Sequence, residues 1–192
     1  MKVIILAGGL PSSISEETGK IPKPMVKIGE RPVLWHIMKL YSYYGFNEFI
    51  ICTGYKAETI KEYFLDYYIY SSDITVDLQN NDIIIHNKIS EPWKVTVVDT
   101  GLSSPTGERI RKIENYIEED AFLVCYGDCI TDLNITDFMS AYYKSPHLVL
   151  MAVARPSGRN AVLNLDLEGN LVSDIVLQNN CEANAWVNTC HM

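Results

Sequence analysis

Residues 6–25 read LAGGLPSSISEETGKIPKPM, and this stretch decides the fold. It continues from the apolar run Val3–Leu6, which predicts a short buried strand. A strand that runs straight into Gly8-Gly9 brings bare backbone N–H groups to the carboxyl edge of a parallel sheet, where open α/β folds hold phosphates. In Lys20-Ile21-Pro22-Lys23-Pro24-Met25 the prolines fix the backbone on both sides of Lys23 and exclude regular helix. A lysine on a stiff loop beside a glycine turn can serve as a counter-charge for phosphate. Each feature taken alone has a plainer reading. Glycines at strand-to-helix turns are common, and a solvated loop lysine is ordinary.

Outward from this stretch, strands and helices alternate. Residues 32–44 predict a helix with Val33, Ile37, Leu40 and Tyr44 in one apolar row, Leu34, Met38 and Tyr41 in the next, and Gly45 as its C-terminal cap. Residues 49–52 predict a strand, 57–65 a helix and 93–99 a strand. Ser104-Pro105-Thr106-Gly107 opens a helix with Ile110, Ile113 and Ile117 on its apolar face. Residues 121–126 predict a strand, 135–143 a helix and 148–154 a strong strand. The alternation predicts an α/β fold, a Rossmann-like, doubly wound, mainly parallel sheet. Beyond it, 161–167 and 171–177 around Glu168-Gly169-Asn170 predict a C-terminal antiparallel hairpin, and 185–190 a last strand. The whole of 1–192 reads as a single domain. Residues 66–90 break the alternation as an insertion or interface segment, with a hairpin of 74–78 and 83–86. Its Tyr67, Tyr68 and Tyr70 suit an interface or a semi-buried patch equally. His36 reads as a packed core histidine and His86 as a surface or capping residue.

Composition narrows the function classes. A hydrophobic content of 47% excludes disorder, and a net charge of -8 argues against nucleic-acid and anionic-membrane binding. No apolar run approaches transmembrane length, and MKVIILAGG lacks the length of a signal peptide, so a cytoplasmic protein is expected. Cys52, Cys125, Cys129, Cys181 and Cys190 form an odd set with no CxxC pair and read as reduced thiols. Cys125 and Cys129 are too few for a zinc site.

Asp128 stands after Gly127, just past a predicted buried strand. A carboxylate there is placed to hold Mg²⁺ against a nucleotide phosphate, because Mg²⁺ takes only one or two carboxylates. Standing alone it would be a turn aspartate. Asp132, four residues on, reads as a turn or helix-capping residue. Residues 98–107 form a small-residue loop that admits a flat base or merely opens a helix.

Taken together, the strand, LAGG, a segment ending in Glu16-Glu17-Thr18, and PKPM resemble the signature of the nucleotidyltransferases that make nucleotide-sugars. Ile28-Gly29, Arg31-Pro32 and Leu34-Trp35-His36-Ile37-Met38 resemble one branch, the glucose-1-phosphate cytidylyltransferases. So do Glu91-Pro92-Trp93, Val95-Thr96, the DTG-x-SS-x-TG-x-R run from Asp99, and Tyr126-Gly127-Asp128. The resemblance implies that CTP and a sugar 1-phosphate, glucose 1-phosphate in this branch, form a CDP-sugar and pyrophosphate with Mg²⁺. It implies that Leu6, Ala7, Gly8 and Gly9 approach the nucleotide, and that Lys23 neutralises phosphate. Thr100, Gly101, Thr106 and Gly127 would contact the nucleotide, and Asp128 would hold the metal. Lys23 and Asp128 would be the catalytic pair. Gly158, Arg159 and Asn188 would lie on the sugar side; the sequence leaves the oligomeric state open, a homo-oligomer among the options.

The sequence also departs from that pattern. Pro11, Ser12 and Ser13 stand where the family carries glycine, a small hydroxyl residue and arginine. Val176-Leu177-Gln178 stands where it carries Glu-Lys-Pro. After Asn188 the family continues with a second metal-binding carboxylate, so this chain reads as C-terminally short. Two alternatives therefore stand beside the enzyme: a degenerate nucleotide-binding or regulatory homologue, and a cytidylyltransferase for another acceptor. Ser13 is the residue that separates catalysis from binding alone.

Overall fold

The computed structural model describes residues 1–10, 21–86, 90–154, 161–165, 172–177, 187–189 and 191–192, with backbone alone for 161–165, 172–177 and 187–188. The chain forms two compact units, Met1–Ile130 and Thr131–Met192.

The first unit is built on four parallel strands: β1 (Val3–Leu6), β2 (Glu48–Thr53), β3 (Lys94–Asp99) and β4 (Leu123–Tyr126). Their spatial order is β3-β2-β1-β4. The chain steps one way from β1 through β2 to β3, then crosses back to place β4 on the far side of β1. Helices α1 (Val33–Tyr43), α2 (Ala57–Leu65) and α3 (Thr106–Lys112) make the crossovers. Right-handed connections send α1 and α2 to one face and α3 to the other. The predicted α/β parallel architecture is therefore present. The reversal between β1 and β4 is the topological switch point, where such sheets open a crevice beyond their carboxyl ends.

Burial explains the centre. Val3, Ile4, Ile5 and Leu6 are all buried, as befits a strand covered on both faces. Leu34, Ile37, Met38 and Tyr41 of α1 join Phe49, Ile50 and Ile51 in the core. Gly45 ends α1 at φ +88, with its N–H on Ser42 O (2.9 Å) and the Phe46 N–H on Tyr41 O (3.0 Å). This paired closure needs a left-handed residue, which glycine supplies. Register sets the active edge. Leu6 pairs with Cys52 on one side and Tyr126 on the other, and Thr53 pairs with Asp99. The four strands end level, and their exit loops meet.

The 66–90 segment contains a helical turn, Tyr67–Tyr70, and a hairpin of Asp73–Asp77 against Asp82–His86. The hairpin exposes Ile74, Val76, Ile83 and Ile84, while Trp35 Nε1 donates to Tyr67 OH at 3.0 Å. His36 is half-buried, with Nε2 3.1 Å from Ile28 O, rather than packed in the core.

In the second unit, Ala161–Leu165 pairs antiparallel with Val172–Leu177, the predicted hairpin. The expected strand over 148–154 shrinks to Val153–Ala154, paired with Val187–Asn188. Leu148 and Val149 are 92% and 65% exposed. Apolar residues favour burial, but a strand also needs a neighbour for its N–H and C=O groups; among the described residues that neighbour reaches back to Ala152, which donates to His191 O and accepts from Thr189 N, both at 3.0 Å. Helix α4 (Ile135–Lys144) is capped by Asn134, whose Oδ1 accepts from Thr136 N and Asp137 N; Asp132 is not the cap. Among the described residues no helix is long and apolar enough to cross a membrane, and Cys52, Cys125 and Cys129 form no disulfide.

Candidate active site

At the carboxyl ends of β1 and β4, a cavity of about 280 Å³ is lined by Leu6, Ala7, Gly8, Gly9, Lys23 and Asp128, together with Pro24, Ser104, Pro105, Thr106, Arg109 and Tyr126. Three chain segments meet there. The first is the glycine turn. The Ala7 N–H still reaches back to Cys52 O at 2.9 Å, so the sheet ladder runs up to the turn. Gly8 is buried and Gly9 exposed.

The second segment is the proline loop. Lys23–Met25 forms a 3₁₀ turn with Pro24 and Met25 buried. Pro24 lies against Gly127, where a Cβ would come within 2.9 Å of Pro24 Cγ. Gly127 is therefore a close-packing glycine that lets the proline loop sit on the β4 exit, with its N–H on Leu6 O at 2.9 Å. This packing brings Lys23 Nζ to 3.6 Å from Asp128 Oδ2, both side chains about one-third exposed.

The third segment is the loop from β3 into α3. Thr106 Oγ1 lies 3.3 Å from Tyr126 OH on the cavity wall. Arg109 is only 5% exposed. Its guanidinium donates to Gly8 O (2.9 Å), Thr53 O (3.0 Å), Leu102 O (3.2 Å) and Thr100 Oγ1 (2.6 Å). Lys112 Nζ donates to Thr100 O (2.9 Å) and Ser104 Oγ (2.8 Å) and pairs with Glu108 at 2.9 Å. The Lys112 ammonium holds the Glu108 carboxyl below the usual range.

Leu6, Ala7, Gly8, Gly9, Lys23, Thr106 and Asp128 thus share one cavity. Thr100 and Gly101 do not line it. Thr100 is 1% exposed, and its hydroxyl is taken up by Thr53 O and Arg109. Gly101 turns the chain at φ +91 beneath Ser104 and Lys112. Asn188 lies in the second unit, paired with Val153. Gly158, Arg159, Ser13, Lys20 and Gln178 lie outside the described residues. Arg109 closes the DTG-x-SS-x-TG-x-R run that carried the resemblance, but the sequence assigns it no role of its own; a second signal is its position. It stands four residues before Ile113, on the same helical face. A cation on a buried face requires a polar purpose.

Among the described residues Asp128 is the one carboxylate of the cavity lining. A partly exposed carboxylate beside a phosphate-sized space suits Mg²⁺, which completes its shell with water and substrate oxygens. Lys23, Arg109 and the bare backbone turn suit an anion with several phosphates.

Residues 2–161 match the model of the nucleotidyl transferase family. The chain belongs to that family. Among nucleotidyl transferases it is 48% identical over 169 residues to the glucose-1-phosphate cytidylyltransferase of Salmonella typhimurium, covering 86% of this chain and 65% of that protein. It is 44% identical over 140 residues to the probable glucose-1-phosphate cytidylyltransferase of Bacillus subtilis, covering 73% and 55%. The chain therefore spans less than two thirds of the length of these curated relatives. The crystal structure of HddC from Yersinia pseudotuberculosis complexed with GMP-PN superposes with a TM-score of 0.71 at 26% identity, over 99% of this chain and 74% of that one. A UDP-glucose pyrophosphorylase complexed with UDP-glucose shares the fold, with a TM-score of 0.70 at 18% identity.

Proposed function

We propose that the cavity binds the triphosphate of CTP, and that the chain carries the nucleotide half of a cytidylyltransferase for a sugar 1-phosphate, glucose 1-phosphate first among them. The reading rests on one observation. Gly8, Gly9, Lys23 and Asp128 meet at the β1/β4 switch point, although more than a hundred positions separate the glycines from the aspartate. The likeness to the Salmonella cytidylyltransferase supports cytidine over other bases.

In this reading a phosphate oxygen of the sugar 1-phosphate attacks the α-phosphorus of CTP. The bond from that phosphorus to the bridging oxygen breaks in line, and pyrophosphate leaves. Such a transfer needs positioning and charge neutralisation more than covalent help. The Gly8-Gly9 backbone approaches the phosphates, and Lys23 balances their charge. Asp128 would hold Mg²⁺, whose contribution when bound is further neutralisation of the phosphate oxygens. A second reading, nucleotide binding without turnover, is favoured by Ser13, which stands where the family pattern carries arginine. Loss of one preorganised donor costs about 10²–10³ in rate.

The test is pyrophosphate release with CTP, Mg²⁺ and a panel of sugar 1-phosphates, run beside a CTP thermal shift. Turnover that disappears in Asp128→Asn supports the transferase. A CTP-induced rise in Tm without turnover supports the second reading. No shift at millimolar CTP with a folded chain defeats both.

A further inference from the structure

We propose that Arg109 is the positioning residue of this site, holding the peptide planes of the phosphate-binding loops in place; the proposal rests on the nucleotide reading above. A guanidinium out of water must satisfy its N–H fork. Among the described residues all of the Arg109 hydrogen bonds go to neutral oxygens, three carbonyls and one hydroxyl. Those oxygens belong to the exits of three strands: Gly8 after β1, Thr53 at the end of β2, and Thr100 and Leu102 after β3. One side chain therefore ties together three loops from distant parts of the sequence.

The glycines are arranged around it. A Cβ on Gly8 would run into the Arg109 guanidinium. A Cβ on Gly54 would meet Gly101 O at 2.7 Å, Gly8 O at 2.9 Å and Arg109 Nη1 at 3.0 Å. Gly8 and Gly54 are thus bare because the arginine and the Gly8 and Gly101 carbonyls occupy the space.

Peptide planarity carries the consequence to the site. The C=O of Gly8 and the N–H of Gly9 belong to one rigid trans unit and point in opposite directions. Holding Gly8 O on Arg109 fixes the Gly9 N–H so that it aims away from the arginine. The same logic fixes the N–H groups of Gly54 and Ser103 through Thr53 O and Leu102 O. Because no anion neutralises it among those partners, the arginine also leaves positive potential on the cavity wall. The anion it favours is a polyphosphate, held by amides that need no reorganisation when it arrives.

The test compares the whole chain as wild type, Arg109→Lys and Thr100→Val. Lysine keeps the charge and loses the fork. Valine keeps the shape and removes one acceptor without lining the cavity. ¹⁵N relaxation follows the amides of Gly9, Gly54 and Ser103 in the free protein, and titration with CTP and Mg²⁺ gives affinity. In Arg109→Lys the three amides should lose order together and CTP affinity should fall about tenfold. In Thr100→Val both effects should appear at several-fold strength. Amides as ordered as in wild type, or wild-type affinity in a folded Thr100→Val, overturn the proposal. Should Arg109→Lys fail to fold, Thr100→Val decides by the same two readouts. Failure of the wild type to bind CTP at millimolar concentration defeats the nucleotide reading instead, and the amide order then decides the role of Arg109.

Discussion

Lys23 Nζ lies 3.6 Å from Asp128 Oδ2, an ion pair across the point where the sheet reverses direction. Both groups are partly in water, so the pair contributes at most about 1 kcal/mol to stability. It is cheap to open, and each partner can turn to a ligand. Lys23→Met should leave the thermal midpoint nearly unchanged and weaken CTP binding about tenfold or more. The same substitution should strengthen Mn²⁺ binding severalfold in the absence of nucleotide, because Asp128 loses its competing cation. Electron paramagnetic resonance of free Mn²⁺ measures this, and an unchanged metal affinity would show that the pair does not restrain Asp128.

Adjacent glycines should behave differently. Gly8 has no room for a methyl group against Arg109, whereas nothing lies within 4 Å of a Cβ on Gly9. Gly8→Ala should destabilise by about 1–3 kcal/mol through forced repacking. Gly9→Ala should stay within about 0.5 kcal/mol, as at an open surface site. Urea denaturation of the two variants checks the contrast. Equal losses would mean that the arginine does not occupy the space above Gly8.

The second unit should be sensitive to mild acid. Burial holds the His191 imidazole down to about 4, below its ordinary 6.5. Between these values the unfolded chain binds a proton that the folded chain refuses, so stability rises with pH. It is fully present above about 6.5 and is lost as pH falls toward 4. Denaturation curves at pH 7.5 and 5.5 should separate for the wild type and nearly coincide for His191→Gln. Equal separation in both proteins would assign the acid effect to other groups.

The hairpin of Asp73–Asp77 and Asp82–His86 pairs Val76 with Ile83 and Ile74 with Ile85 on one face. Ile74, Val76 and Ile83 are 41%, 47% and 51% exposed. An isolated two-stranded ribbon is marginal in water, so assembly with copies of the same chain is the expected way of covering it. Light scattering should show an oligomer for the wild type and a smaller species for Ile83→Lys with an unchanged circular dichroism spectrum. A monomeric wild type at tens of micromolar would remove this expectation.

By itself the sequence determined what local chemistry dictates. Continuous apolar runs bounded by glycine and proline marked β1, β2 and β4, and 3.6-residue spacing with a glycine stop marked α1. Backbone and side-chain preferences act within a few residues, so such elements can be read without their neighbours. The order LAGG, PKPM, YGD named the residues of one cavity, because a strand followed by a glycine or a stiff loop has few ways to end. Tertiary structure alone decided the rest. Residues 148–154 are apolar enough for a strand, but pairing partners are a non-local matter, and among the described residues the pairing covers Ala152 to Ala154 alone. The resemblance implied a nucleotide contact at Thr100, yet the fold turned its hydroxyl to Arg109 and Thr53. The role of Arg109 depends on carbonyls 7, 56 and 101 residues away along the chain, brought level by the register of β1, β2 and β3. A hydrogen bond to a backbone oxygen carries no residue identity, so the sequence could mark the arginine in its motif but not the carbonyls it holds.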